Sequence, residues 1–83
     1  MIRSTFEELL ESAKRVGIPV RHVALGGTGG GLAMLKGRRQ LFVDTDAEPE
    51  DQLERTIRAL ATVKEIIKAE LRPDVRRLLE QTG

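Results

Sequence analysis

A glycine-rich loop is the first candidate for chemistry in this chain. Five of the eight glycines fall within the six positions Gly26, Gly27, Thr28, Gly29, Gly30 and Gly31. Glycine adopts positive φ and lets other groups approach the backbone closely, so such a run can cradle a phosphate or form an unusual turn. A P-loop continues with Lys and Ser or Thr into a helix, whereas Leu32 and a strand-like pattern follow here. A phosphate or nucleotide sensor and a wide turn between strands therefore both stay open.

Basic residues form the second candidate site. They lie at a predicted hairpin tip and in the last predicted helix: Lys36, Arg38, Arg39, Arg76 and Arg77. A basic β-ribbon can enter a DNA groove and contact phosphates, but charge at a hairpin tip also keeps turns and sheet edges in solution. The formal net charge is only +1, and Phe6 and Phe42 are the only aromatic residues. Nucleic-acid binding by these residues is one alternative, and contact with a protein partner is another.

Residues for catalysis or metal binding do not combine into a known set. The chain has no cysteine and His22 is its only histidine, so thiolate and multi-histidine metal sites are excluded. The acids of residues 44–51 do not fit an EF-hand, since Pro49 and Arg55 stand where that loop needs Gly and Glu. At most a weak magnesium or calcium site remains. No nucleophile elbow surrounds either serine. We therefore predict a non-enzymatic protein with no catalytic residue, metal or cofactor.

An N-terminal helix comes first among the elements that must position these candidates. Apolar residues recur at helical spacing from Phe6 to Val16, which predicts a helix over residues 5–16. Ser4 and Glu7 match a capping box, with Ser4 as the N-cap. Gly17 is suited to end the helix at C′.

A short strand and a hairpin follow the first helix. Residues 20–25 are short and rich in β-branched side chains, which predicts a strand leading into the glycines. Gly37-Arg38 suits the centre of a type II′ turn. That turn pairs Lys36 with Arg39, Met34 with Leu41 and Leu32 with Val43. Both faces of this hairpin are mostly apolar, so the second face needs a cover, either the chain's own helices or a second copy.

The C-terminal half is predicted to be helical. Thr45 or Asp46 can cap a helix that has Pro49 in its first turn. Its apolar stripe reaches Leu71, which favours one long helix. The alternative is a break near Thr62-Val63 that leaves Ile66-Ile67 in a short extended piece. After Pro73, residues 74–80 form a short amphipathic helix. The predicted core consists of Phe6, Leu9, Leu10, Ala13, Val23, Leu32, Met34, Leu41, Val43, Leu53, Ile57, Leu60 and Ile67.

The order of glycine loop, hairpin, acidic turn and helix over residues 29–62 resembles a segment of the ImmA/IrrE-type zinc peptidases. In that family the segment leads to a helix carrying H-E-x-x-H, whose two histidines bind zinc and whose glutamate is the base. The corresponding residues here are Arg58-Ala59-Leu60-Ala61-Thr62, so no catalytic role carries over. Length and element order are also similar to those of small uncharacterised bacterial proteins.

These patterns predict one α+β domain over residues 1–83. It has an N-terminal helix, a small antiparallel sheet of about three strands with a central hairpin, a long helix and a short C-terminal helix. We expect a cytoplasmic protein, since the N-terminus is acidic and no apolar run is long enough for a membrane span. The expected function is that of a non-enzymatic protein–protein interaction or regulatory accessory module, with self-association as a homodimer as one form of that interaction. The alternatives are nucleic-acid binding at the hairpin tip and ligand sensing at residues 26–31.

Overall fold

The computed structural model describes residues 2–68 and 71–82. The α+β class is confirmed: helices pack on one face of a three-stranded sheet. The elements in chain order are α1 (Ile2–Arg15), β1 (Val20–Val23), β2 (Gly31–Leu35), β3 (Arg38–Asp44), α2 (Pro49–Leu60), α3 (Lys64–Lys68) and α4 (Pro73–Thr82).

Helix α1 begins earlier than the sequence pattern suggested. It already includes Ile2, so Ser4 lies inside the helix and the prediction that Ser4 is the N-cap is wrong. The C-terminal end agrees with the prediction. Gly17 has φ of 84°, its N–H donates to Lys14 O at 3.0 Å, and the N–H of Ile18 donates to Ala13 O at 2.9 Å. This is a Schellman motif, and it places Ile18 in the core against Ala13.

The sheet has the order β1-β3-β2 and is mixed. The hairpin strands β2 and β3 are antiparallel as predicted, but β1 pairs in parallel with β3, with Val20 beside Leu41 and Val23 beside Asp44. The prediction of a purely antiparallel sheet is therefore wrong. Because β3 is central, the chain must cross the end of β3 to pass from β1 to β2. Residues 24–30, which include most of the glycine-rich loop, make this crossing.

The hairpin turn is one residue earlier than predicted. Lys36 and Gly37 both have positive φ, 53° and 78°, and Leu35 pairs with Arg38. Positive φ at both central residues defines a type I′ turn, whose twist matches that of the flanking strands. The predicted register is therefore wrong, and Leu32 pairs with Leu41 instead of Val43. The shift is two positions along β3, so every side chain keeps its predicted face.

The long helix is broken, and the alternative break near Thr62 is correct. Helix α2 ends at Leu60, and the hydroxyl of Thr62 donates to Ala59 O at 2.7 Å in the turn that follows. Val63 and Ile66 are then both buried, at 1% and 0% exposure. The piece after the break is helix α3 and not an extended segment; residues 69–70 of the predicted helix lie outside the described residues.

The start of α2 also differs from the prediction. Glu48 is the N-cap residue, so neither Thr45 nor Asp46 has that role. Pro49 does lie in the first turn, and Glu50 and Asp51 follow it at the positive end of the helix dipole.

The core lies between the helices and the face of the sheet that carries Leu41 and Val43. Three predicted core residues are exposed instead: Val23 at 38%, Met34 at 69% and Ile67 at 41%. Val23 points to the other face of the sheet, Met34 lies next to the hairpin tip, and the helix break places Ile66 in the core in place of Ile67. The buried residues that the prediction missed are Ile18, Ala47, Val63, Ile66, Val75 and Leu79.

Candidate functional site

The glycine-rich loop is folded around a carboxylate of its own chain. Asp44, the last residue of β3, is 2% exposed, and its two oxygens accept four backbone N–H groups. The donors and distances are Leu25 at 2.9 Å, Gly27 at 2.7 Å, Gly29 at 3.0 Å and Asp46 at 2.9 Å. A carboxylate at this position thus holds the loop where it crosses the end of the central strand.

The carbonyl groups of the same loop are bound by Arg55 of α2. Its Nη1 donates to Gly27 O at 3.0 Å and to Gly29 O at 2.8 Å. Gly26 makes a further contact, since its N–H donates to the exposed carboxylate of Asp46 at 2.9 Å. The carboxylate of Asp44 therefore binds amide groups of the loop, and the guanidinium of Arg55 binds its carbonyl groups.

The amide donors also determine the pKa of the Asp44 carboxyl. Burial raises this pKa, but the hydrogen bonds from Leu25, Gly29, Asp46 and Gly27 together outweigh burial and hold it below its ordinary value of 3.8. Asp44 is consequently ionised near neutral pH, where it is the anion that the loop encloses.

Two glycines in the loop are unfavourable positions for a side chain, Gly29 because of a close contact and Gly30 chiefly because of its positive φ. A Cβ at Gly29 would lie 2.7 Å from Cβ of Leu25. Gly30 has φ of 110°, and a Cβ there would lie 3.3 Å from Phe42 O. A tight crossing accounts for these glycines without a ligand. Sensing of a phosphate by residues 26–31 stays a prediction, but two of the glycine amides that it would use already donate to Asp44.

The second notable surface is the side of the sheet opposite the helices. We call it the outer face and define it by residues Arg21, Val23, Ala33, Leu35, Gln40 and Phe42, which alternate with the core-facing residues of the strands. Val23, Ala33 and Leu35 are exposed and Phe42 is half-buried. The side chain of Arg21 donates to Gln40 Oε1 and covers that residue. The helices thus leave most of this face open.

A hollow of about 280 Å³ lies at one end of the outer face. Its lining is apolar and consists of Leu25, Gly30, Gly31, Leu32, Ala33 and Phe42. Gly31, which has no side chain, lies in this hollow with Leu25 and Phe42. At the other end of β2, Leu35 is 46% exposed. The outer face therefore carries both an apolar projection and an apolar recess.

The basic residues singled out in the sequence do not lie on one surface. Arg38 is on the side of the outer face, whereas its neighbour Arg39 points to the helix side and donates to Glu65 at 2.6 Å. This hydrogen bond lowers the pKa of the Glu65 carboxyl. Arg76 donates to Ile67 O at 3.1 Å, and Arg77 is exposed on α4. Lys36 and Arg38 are the exposed basic residues of the hairpin tip.

His22 lines a cleft that the sequence did not reveal. The cleft measures about 960 Å³ and lies between α1 and the start of α2, with Phe6 and Leu10 on its apolar side and Glu48 and Glu50 on its rim. Within residues 2–68 and 71–82, no three acidic or histidine side chains are grouped closely enough to hold a metal ion.

Comparison of the chain with protein-family models, curated proteins and solved structures finds no match. The resemblance to zinc peptidases thus stays a prediction. Arg58 and Ala59 lie in the last turn of α2, and Thr62 lies in the turn beyond it. In the part of the chain that the structure describes, no helix has the length and apolar character needed to cross a membrane.

Proposed function

We propose that this chain is a non-enzymatic protein–protein interaction module that binds through its outer face. The observation that supports this most is the open apolar surface formed by Val23, Ala33, Leu35 and Phe42. Exposed apolar residues that share one face of a sheet, with a recess beside them, are typical of interaction sites, whereas isolated ones are normal on any surface.

The hydrogen bonds beside the hollow also favour binding, because they hold this part of the surface rigid. The glycine-rich loop borders the hollow, and Asp44 and Arg55 hold its amides and carbonyls. A site that is already ordered loses little conformational entropy when a partner binds. The two outer strands of the sheet, β1 and β2, carry most of the patch, and their free edges offer backbone groups beside it.

A capture experiment with two matched variants tests this proposal. Ala33→Arg and Gln81→Arg each add one positive charge at an exposed position, the first on the outer face and the second on α4. Tagged wild type and both variants are used to capture proteins from lysate of the native host. We expect a stoichiometric protein with wild type and Gln81→Arg and its loss with Ala33→Arg. Equal capture by all three would show that the outer face is not the binding site.

Nucleic-acid binding is the alternative, and the same experiment distinguishes it. Lys36 and Arg38 are exposed at the hairpin tip and available to phosphates. If nuclease-sensitive material is retained in place of a protein, its binding should weaken steeply with salt and fall when Lys36 and Arg38 are changed to Ala. Retention that does not change with salt contradicts this alternative.

A further inference from the structure

We infer that the free edge of strand β2 binds an extended apolar segment of a partner protein, which joins the sheet as a further strand. This inference rests on the proposed function, because it names the kind of segment that the module binds and the groups that hold it. It follows from the backbone groups at this edge, from the difference between the two edges of the sheet, and from the side chains beside β2.

Strand β2 has backbone groups that its own sheet does not use. In a hairpin with a two-residue turn, Leu35 and Arg38 form a hydrogen-bonded pair, and such pairs recur at every second residue. Ala33 therefore also bonds to β3, whereas the N–H and C=O groups of Leu32 and Met34 point away from it. Among the described residues, only β3 lies beside β2, and no loop or side chain bonds to these outward groups. They are left for another strand.

The two edges of the sheet are protected to different degrees. Charged side chains and proline normally keep an exposed edge strand from pairing with another chain. Strand β1 follows Pro19 and carries Arg21 and His22, whereas the five residues of β2 include no charge and no proline. The β2 edge is therefore the one that accepts a strand more readily.

The side chains beside β2 define the middle of the incoming segment. A residue paired with Ala33 points to the outer face, because directly opposite residues of neighbouring strands share a face. Ala33 has only a methyl group, and the apolar hollow of about 280 Å³ lies beside it, with Leu25 and Phe42 in its lining. A large apolar side chain at the central position of the segment fits there. On the helix side, the next residues of the segment cover Met34, which is 69% exposed.

The hairpin tip determines the charge at one end of the segment. Lys36 and Arg38 are both exposed where β2 ends and β3 begins. An acidic side chain at the end of the segment that lies beside this tip has two positive charges to meet, and such complementarity steers association. The expected segment is therefore an apolar strand with an acidic residue at one end.

Selection from a random peptide library displayed on phage tests the inference with the purified chain. Wild type, Met34→Pro and His22→Pro are immobilised in parallel. Val23 O accepts from the N–H of Thr45 in β3, so His22 faces the free edge of β1. Each proline thus removes one outward N–H, the first at the β2 edge and the second at the β1 edge, and leaves the bonds to β3 in place.

We expect wild type and His22→Pro to enrich the same peptides, with alternating apolar side chains and an acidic end. Met34→Pro should retain them roughly tenfold less well, because a buried hydrogen bond is lost. Absence of enrichment, or equal retention by Met34→Pro, overturns the inference. If far-UV circular dichroism shows that a proline variant is unfolded, Met34→Lys and His22→Lys replace the pair. Each puts a lysine at an exposed position of an edge strand, and only the first should block binding.

Amide hydrogen exchange then locates the segment on the sheet. When a selected peptide binds, we expect exchange at Leu32 and Met34 to slow by roughly tenfold or more, because their N–H groups gain acceptors, and exchange at Val20 and His22 to stay the same. Unchanged exchange at Leu32 and Met34 overturns strand addition. Slowing at the same amides in the concentrated chain without peptide would identify a second copy as the occupant, and this also overturns the inference.

Capture from lysate separates this inference from the proposed function. If Ala33→Arg abolishes capture and Met34→Pro does not change it, the partner binds to the outer face by side chains alone. The proposed function then holds, and strand addition is wrong. Loss of capture with both variants supports both proposals. If neither variant changes capture, both are wrong.

Discussion

Asp44 is the residue on which the glycine-rich loop most depends. Its carboxylate accepts four backbone N–H groups, and an amide side chain of the same shape has only one oxygen to offer them. We expect Asp44→Asn to lower the folding equilibrium constant roughly 10- to 100-fold, measured by urea unfolding at pH 7, because buried donors lose a charged acceptor. Asp46→Asn is the control, since that exposed carboxylate accepts a single bond from Gly26. Equal effects of the two changes would contradict the role assigned to Asp44.

The lowered pKa of Asp44 also predicts how stability depends on pH. Its folded pKa is below the ordinary value of 3.8, so in acid the unfolded chain binds more protons than the folded chain, and stability rises with pH there. We expect the free energy of unfolding to be steady above about pH 5 and to fall as pH decreases below about 4. Asp74, whose pKa the hydrogen bond from Arg72 lowers to about 2, contributes to the same fall. Urea unfolding at pH 7, 4 and 2.5 should therefore show a smaller acid loss for Asp44→Asn and for Asp74→Asn than for wild type.

At the scale of the elements, the sequence patterns correctly predicted the features that depend on the spacing of nearby residues. Phe6 to Val16 marked the first helix, and Gly17 marked its end correctly. The two faces of the hairpin were also assigned correctly, since alternation alone determines them. The register was not, because both Lys36-Gly37 and Gly37-Arg38 can form a tight turn, and Lys is not a residue that commonly signals positive φ.

Long-range contacts account for what the sequence missed. The parallel pairing of β1 with β3 depends on the loop that crosses Asp44, a long-range contact that no periodic pattern in the sequence records. The break after Leu60 depends on burying Val63 and Ile66 together, which a continuous apolar stripe does not reveal. A single acid at the end of an apolar strand, following a glycine-rich loop, is the signal that could have indicated the Asp44 contact.

The hairpin turn allows a direct test of the observed register. Lys36 has φ of 53°, a conformation that Asn adopts more readily, and Asn-Gly is the preferred type I′ pair. We expect Lys36→Asn to raise the free energy of unfolding by about 0.5–1 kcal/mol. Arg38→Asn is the matched control, since it removes one positive charge in the same way but places Asn in a strand, where it is disfavoured. Stabilisation by Arg38→Asn and not by Lys36→Asn would favour the Gly37-Arg38 turn.

At the scale of the whole molecule, the two faces of the sheet differ in what covers them. Helices cover the face with Leu41 and Val43, and the outer face stays open between a basic end at Lys36 and an acidic end at Asp46. The net charge of +1 conceals this polarity, because the opposite charges cancel in the sum. Arg21 also lies on the outer face, bonded to Gln40, so a partner that binds there meets its guanidinium beside the apolar residues.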